Sequence, residues 1–388
     1  MWQKNVRYLD YNATSGISEA VRDRLTELLQ EPELLANPSS RHRLGQRSRH
    51  LVFEASERVS KSLGLRDSED IVFTSSGTEA NQTALKSIMK SSELLIIGSG
   101  EHSSSREWGE LQTSDKIIEL PLFSNGLYDT ETLFKILLDS KRRNLSAIAL
   151  SLTLANNETG VLLNLSEIQE IIKKSGVKIH FHLDAAQAWG KIPLELDHLN
   201  ADFVTFSSHK IGAPAGTGVI WVRKGASFDP LFTGSQARGR RGGTENLLGI
   251  VATGLAAEEL DVESFQQHTK PLIARLEDGL SFIGHPVRIW GKDSARVPNT
   301  SRFSLLNFHS YENWVELLDL RGFAVSHGSA CKAQIIEPSH VLLKMGATQH
   351  EALNSLRVSL GLDNSRDDID GFLTALHQIL VQKGEVKA

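Results

Sequence analysis

Residues 147–187 read AIALSLTLANNETGVLLNLSEIQEIIKKSGVKIHFHLDAAQ. Two apolar runs, Ala147 to Thr153 and Lys178 to Asp184, frame an amphipathic stretch in which Ile168, Ile171 and Ile172 fall at helical spacing. The unit is strand, helix, strand. The alternation extends outward: Asp70 to Thr74, Glu93 to Gly98 and Lys116 to Leu120 precede it as strand-like runs, and Phe203 to Phe206 and Gly218 to Arg223 follow it. Strands alternating with helices predict an α/β fold with a mostly parallel central sheet, covered on both faces.

The texture changes after about Ala256. One long helical run, Glu258 to Phe282, gives way to shorter strands (Val287 to Trp290, Asn299 to Leu305) and a closing helix, Arg366 to Gln382. This predicts a large domain over 36–256 and a smaller α+β domain over 257–388, joined by an N-terminal segment, 1–35. The 388 residues, 40% hydrophobic and 23% charged, suffice for one large core and a second smaller one. A net charge of −5 favours neither nucleic acid nor an anionic membrane as partner. The opening MWQKNVRYLDYN lacks the apolar stretch of an export signal, and no apolar run approaches a membrane span, so a cytoplasmic protein is expected. The single cysteine, Cys331, can close no internal disulfide and complete no structural zinc site.

In open parallel sheets, ligands sit at the carboxyl ends of the strands. Chemistry is therefore sought just after each run. Residues 205–212, TFSSHKIG, end a strand in Ser207, Ser208, His209 and Lys210. A lysine leaving a buried strand end loses solvation and can form a Schiff base. Ser207 and His209 can donate to a phosphate there. Residues 73–81, FTSSGTEAN, run from strand to helix start and expose backbone N–H groups to an anion, with Thr78 or Ser76 as N-cap. His102 follows the strand ending near Gly98.

His180, His182 and Asp184 share one strand face. They fit either the start of a binuclear metal site or an Asp pairing with a pyridinium nitrogen. Ala185 stands where a further metal ligand belongs, and no partner cluster occurs elsewhere, so no metal is expected.

In their order and spacing, SSGTEAN (75–81), EH (101–102), ANNETG (155–160), DAAQ (184–187), SSHK (207–210), RRGGTEN (240–246), HGSAC (327–331), EPSHVL (337–342) and SLRVSLG (355–361) resemble the NifS/IscS-like cysteine desulfurases. These belong to the class V aminotransferase branch of fold-type I pyridoxal-phosphate enzymes. The resemblance spans Tyr8 to Leu362. It implies that Lys210 carries pyridoxal 5'-phosphate, Asp184 binds its ring nitrogen, and Gln187, with Asn157 near, its phenolic oxygen. Gly77, Thr78, Ser207 and His209 would hold the phosphate, completed by Thr244 of a second copy in a homodimer. His102 would stack on the ring and shuttle protons, and Arg357, with help from Asn37, would clamp the substrate carboxylate. Lys210 would then take the α-proton of L-cysteine. Attack by Cys331 on the substrate sulfur would leave L-alanine and a persulfide for an acceptor protein, in iron–sulfur cluster assembly, tRNA thiolation or DNA-sulfur modification.

Small polar neighbours make the Cys331 segment a poor core strand and a good loop, with His327, Lys332 and Lys344 available to lower the thiol's pKa. Departures from the family pattern are Thr14-Ser15-Gly16 near the start, Ala237 in place of a Glu, the apolar run after Lys332, and Trp189, expected to crowd the space behind the cofactor. The alternatives are a selenocysteine lyase of the same branch, a metallohydrolase on His180, His182 and Asp184, and a non-catalytic scaffold.

Overall fold

Runs rich in Leu, Ile, Val and Phe favour strands buried on both faces, and such strands fill the centre of the molecule. The computed structural model describes residues 6–31, 35–65, 70–308, 311–327 and 337–386. After a short first strand β1 (Arg7–Tyr8), the large sheet is built from β2 (Ile71–Thr74), β3 (Leu94–Gly98), β4 (Ile117–Leu120), β5 (Ile148–Thr153), β6 (Ile179–Asp184), β7 (Phe203–Ser207) and β8 (Gly218–Val222). Their order is β2-β8-β7-β6-β5-β3-β4, and only β8 runs against the rest. The expected α/β architecture is what the chain adopts. All residues of β3, β5, β7 and β8 are buried.

The helix Leu165–Ser175 covers this sheet by the predicted isoleucine face, packing Ile168, Ile171 and Ile172 into the main core with Leu152, Phe181 and Phe206. The helix Leu247–Glu258 is apolar all round. It is accordingly sandwiched, meeting Val21 and Leu28 of the helix Glu19–Gln30 and Leu51 and Val52 of the helix Arg43–Ser62.

A second core forms around an antiparallel sheet of β9 (Val287–Ile289), β10 (Thr300–Leu305) and, after β11 (Phe323–Ala324), β12 (Ser355–Ser359), in the order β12-β10-β9. Leu276, Phe303, Trp314, Leu356, Phe372 and Leu376 fill it. The chain start is tied to this part: β1 pairs with β11, and Asp10 bridges to Ser359.

The long helical run expected over Glu258 to Phe282 forms one helix that begins four residues later, set off from the helix before it. The earlier helix ends at Glu258; the next, Val262–Ser281, starts from Asp261, whose Oδ1 accepts the Ser264 N–H at 2.9 Å. Among the described residues no helix is long and apolar enough to cross a membrane.

Candidate active site

Because β2, β3, β5, β6 and β7 run in one sense, the segments after their last residues lie along one sheet edge. That edge collects Gly77 and Thr78, His102, Asn157, Asp184 and Gln187, and Ser207 to Lys210. Register places Thr153 beside Asp184, and Asp184 beside Thr205.

Asp184 is buried, and its carboxyl group is held from two sides. Asn81 Nδ2 donates to Oδ2 at 2.7 Å and the Ala186 N–H to Oδ1 at 2.9 Å. Asn81 Nδ2 also donates to Ser104 Oγ at 2.8 Å, and Thr205 Oγ1 donates to Asn81 Oδ1. Ser104 Oγ in turn lies 2.9 Å from His102 Nδ1, which accepts the Ser104 N–H at 3.2 Å as the N-cap of the helix Ser103–Glu110. An Nδ1 that accepts leaves the neutral ring's proton on Nε2. Burial lowers the His102 pKa, opposed by the charge of Asp184 and aided by that of Lys210. Asp184, His102 and Lys210 thus act on one another across one small volume.

Lys210 Nζ donates to the backbone oxygens of Asn12 and, at 2.7 Å, Ala13. Gln187 Nε2 donates to the same Asn12 oxygen at 2.9 Å. Asn12 is 1% exposed and joins both parts of the molecule: its Nδ2 donates to Thr300 Oγ1 at 2.9 Å and to Asn157 O at 3.2 Å, and its own N–H goes to Ser359 Oγ at 2.9 Å. Arg357, on β12, reaches the same place. Its Nη1 donates to Asn157 O at 3.0 Å, and its Nη2 pairs with Asp10 Oδ1 at 2.6 Å.

At the other end, Ser76 caps the helix Gly77–Met89, accepting the Glu79 N–H at 3.1 Å. The first helical N–H groups, those of Gly77 and Thr78, then have no acceptor within the helix. A Cβ at Gly77 would lie 3.0 Å from Ser207 Cβ and 3.2 Å from its Oγ, so the helix start and the end of β7 touch. His209 Nδ1 lies 3.1 Å from Thr14 Oγ1; burial and the charge of Lys210 lower its pKa to about 4.

Thr244 is exposed and stands apart from this cluster on its own chain, although its loop is anchored there: Arg241 pairs with the buried Glu79 at 3.0 Å. In that loop Ala237 and Arg238 adopt left-handed backbone, φ 44° and 59°. Asn37 is also exposed, its Oδ1 accepting the Ser39 N–H at 2.9 Å in a local turn. Cys331 and Lys332 lie outside the described residues. Of the groups expected to tune Cys331, His327 donates through Nε2 to Leu353 O at 2.5 Å, with a pKa lowered by burial and Arg302, and Lys344 is paired with Glu119 at 2.5 Å. Trp189 does not press on the site. Its ring packs on Phe206 at 5.1 Å and its Nε1–H reaches Ser62 Oγ at 3.1 Å, so the helix Arg43–Ser62 absorbs its bulk.

His182 is fully buried with Ser151 Oγ on Nδ1 and Thr205 Oγ1 on Nε2, both at 2.9 Å, leaving no nitrogen for a metal. Among the described residues no three His, Cys, Asp or Glu side chains form a metal-sized group.

Four positions to which the sequence reading gave no role matter here: Asp10, Asn12, Asn81 and Lys191. Asn81 closes the SSGTEAN motif and Lys191 follows Gln187 by four, a helical-turn spacing that signals a shared face. Asp10 and Asn12 carried no such signal.

The aminotransferase class-V family model matches residues 7–372. The chain is 34% identical to the cysteine desulfurase IscS of Dictyoglomus turgidum, over 96% of this chain and 94% of that one. To the cysteine desulfurase NifS of Azotobacter vinelandii it is 32% identical, over 97% and 92%. The solved structure of a NifS-like protein from Rickettsia africae superposes with a TM-score of 0.86 at 32% identity, covering 97% of this chain and 99% of that one. The chain belongs to the aminotransferase class-V family, in its cysteine desulfurase branch.

Proposed function

We propose that this protein is a pyridoxal-phosphate-dependent cysteine desulfurase that takes sulfur from L-cysteine onto Cys331, releases L-alanine and hands the sulfur to an acceptor protein. The observation that carries the reading is the convergence of Lys210, Asp184 and His102 on one sheet edge, in a chain alike in full length to named cysteine desulfurases. The named relatives do not favour the selenocysteine lyase alternative.

The residues present fit the cofactor. A carboxyl group at the end of β6 suits a ring nitrogen, a lysine amine an aldehyde, and a glycine at 77, tight against Ser207, suits the close approach of a phosphate to backbone N–H groups. When bound, pyridoxal phosphate supplies an aldehyde carbon for an amine and a ring that draws electrons from the substrate's α-carbon. Asp184 would hold the ring nitrogen protonated and Gln187, with Asn157, would meet the phenolic oxygen. Gly77, Thr78, Ser207 and His209 would hold the phosphate. Arg357 would grip the substrate carboxylate through its planar fork, already oriented by Asp10, with Asn37 assisting.

Lys210 would take the α-proton, and His102, neutral and with its proton on Nε2, would move protons at the reacting atoms. The Cys331 thiolate would attack the substrate sulfur: an S–S bond forms, the C–S bond breaks and its electron pair stays with the β-carbon, which takes a proton, while the α-carbon regains the proton that Lys210 took, giving alanine. The balance needs no external oxidant. Across a homodimer, Thr244 would complete the partner's phosphate site; its exposure supports that placement. A lone thiol that must stay reduced suits a reducing compartment, and we assign the reaction to the cytoplasm.

The test is a visible spectrum of the pyridoxal-phosphate-loaded protein before and after L-cysteine, with sulfide and alanine assayed under a reductant. Wild type should show a band that shifts and should form both products; Lys210→Ala should show neither. A Lys210→Ala protein that keeps the shifting band would remove Lys210 from the mechanism.

A further inference from the structure

Lys191 is a buried lysine without a carboxylate, and burial together with the positive charges of Lys210 and Arg357 pushes its pKa well below the usual lysine value. It is 4% exposed, and among the described residues no acidic side chain pairs with it. Its Nζ donates instead to two amide oxygens, Asn12 Oδ1 at 2.7 Å and Gln187 Oε1 at 2.5 Å. The charges that act on it, from Lys210 and Arg357, are both positive. Burying such a group costs several kcal/mol, so a surface lysine or an apolar residue would be the ordinary choice here.

What the arrangement does follows from valence. Nζ donates to both amide oxygens, so both amide NH2 groups point away from Lys191. The Gln187 NH2 then reaches Asn12 O at 2.9 Å, the same oxygen that Lys210 Nζ meets. The Asn12 NH2 goes to Thr300 and Asn157. Without Lys191, only the bond to Asn12 O would hold the Gln187 amide against turning over, because its two ends are nearly equal in shape.

We propose that Lys191 is a positioning residue: it fixes the Gln187 amide with NH2 toward Lys210 and oxygen away, and so decides that Gln187 meets the bound cofactor as a donor. This rests on the pyridoxal-phosphate reading given above. A donor to the phenolic oxygen favours its anionic form and weakens the hold of the neighbouring Lys210 nitrogen on its proton. An acceptor in the same place does the reverse.

The experiment is a pH titration of the visible band of loaded protein, comparing wild type with Lys191→Met, Lys191→Gln and Lys191→Arg. Lys191→Met should raise the midpoint by about one pH unit, a tenfold change in proton affinity. Lys191→Arg, which only donates, should stay near wild type, and Lys191→Gln should fall between. A merely structural lysine would lower the melting temperature in Lys191→Met and leave the midpoint where it was, and that result overturns the proposal. Should Lys191→Met fail to fold, a Lys191→Gln midpoint equal to wild type overturns it equally. A wild-type protein with no visible band after loading would sink the cofactor reading itself, a distinct failure.

Discussion

Replacing Asn81 by alanine removes three bonds at once: to Asp184 Oδ2, to Ser104 Oγ and from Thr205 Oγ1. Asn81 is 3% exposed, so water does not substitute freely. Taking about 2 kcal/mol for the bond to the Asp184 carboxyl and about 1 for each hydroxyl gives about 4 kcal/mol gross. Each partner keeps at least one other contact: Asp184 the Ala186 N–H, Ser104 the His102 ring, Thr205 the His182 ring and Leu183 O. That reduces the expected loss to about 3 kcal/mol. Spread over the entropy of unfolding the whole chain, this lowers the melting temperature by about 4 °C, and by about 7 °C if the large domain melts alone. Asp184 and His102 each lose one restraint, and kcat should fall about tenfold, the equivalent of about 1.4 kcal/mol in the barrier. Asn81→Asp is the sharper variant. It is isosteric, yet it puts a carboxyl oxygen where an NH2 donated to Asp184, and should be worse than Asn81→Ala by both calorimetry and steady-state kinetics. An Asn81→Asp protein as stable and active as wild type would mean that Nδ2 does not face Asp184.

His182 contributes a pH dependence of known sign. Burial lowers its pKa from 6.5 to about 4, so below 6.5 the unfolded chain takes a proton that the folded one refuses. Its stability contribution is full above pH 6.5 and is lost as pH falls toward 4, about 2.5 kcal/mol by pH 4.5. Denaturant titrations of His182→Gln at pH 7 and 4.5 should show a difference smaller than that of wild type by this amount; an equal difference contradicts the assignment. For Thr244, mixed dimers of a Lys210→Ala chain with a Thr244→Ala chain should bind one pyridoxal phosphate per dimer with wild-type affinity, because one site keeps both residues. Weak binding at every site would place Thr244 on its own chain's site.

The large sheet was legible because its strands are mostly apolar and the polar residues at and after their ends, such as Asp184 and Lys210, sit at one edge. The break between the helices at Glu258 and Val262 was not, since Glu259, Leu260 and Asp261 include neither glycine nor proline and each is tolerated in a helix. The motif residues could be read in order along the chain, but the groups that orient them could not. Asn81 meets Asp184 across 103 residues, and Asn12 meets Gln187 across 175. Polar side chains of this kind look like ordinary surface or capping residues until folding brings their partners. Lys191 is the clearest case, since only its burial and its two amide oxygens distinguish it from a lysine in a turn.

The central claim is that sulfur passes from L-cysteine to Cys331. Mass spectrometry of the loaded protein, mixed with one equivalent of L-cysteine and trapped by alkylation without reductant, tests it directly. The account predicts one added sulfur on the peptide bearing Cys331, matched by an equal amount of alanine, and neither in Cys331→Ser. Alanine formed at the wild-type rate by Cys331→Ser, with free sulfide and no protein-bound sulfur, would contradict it.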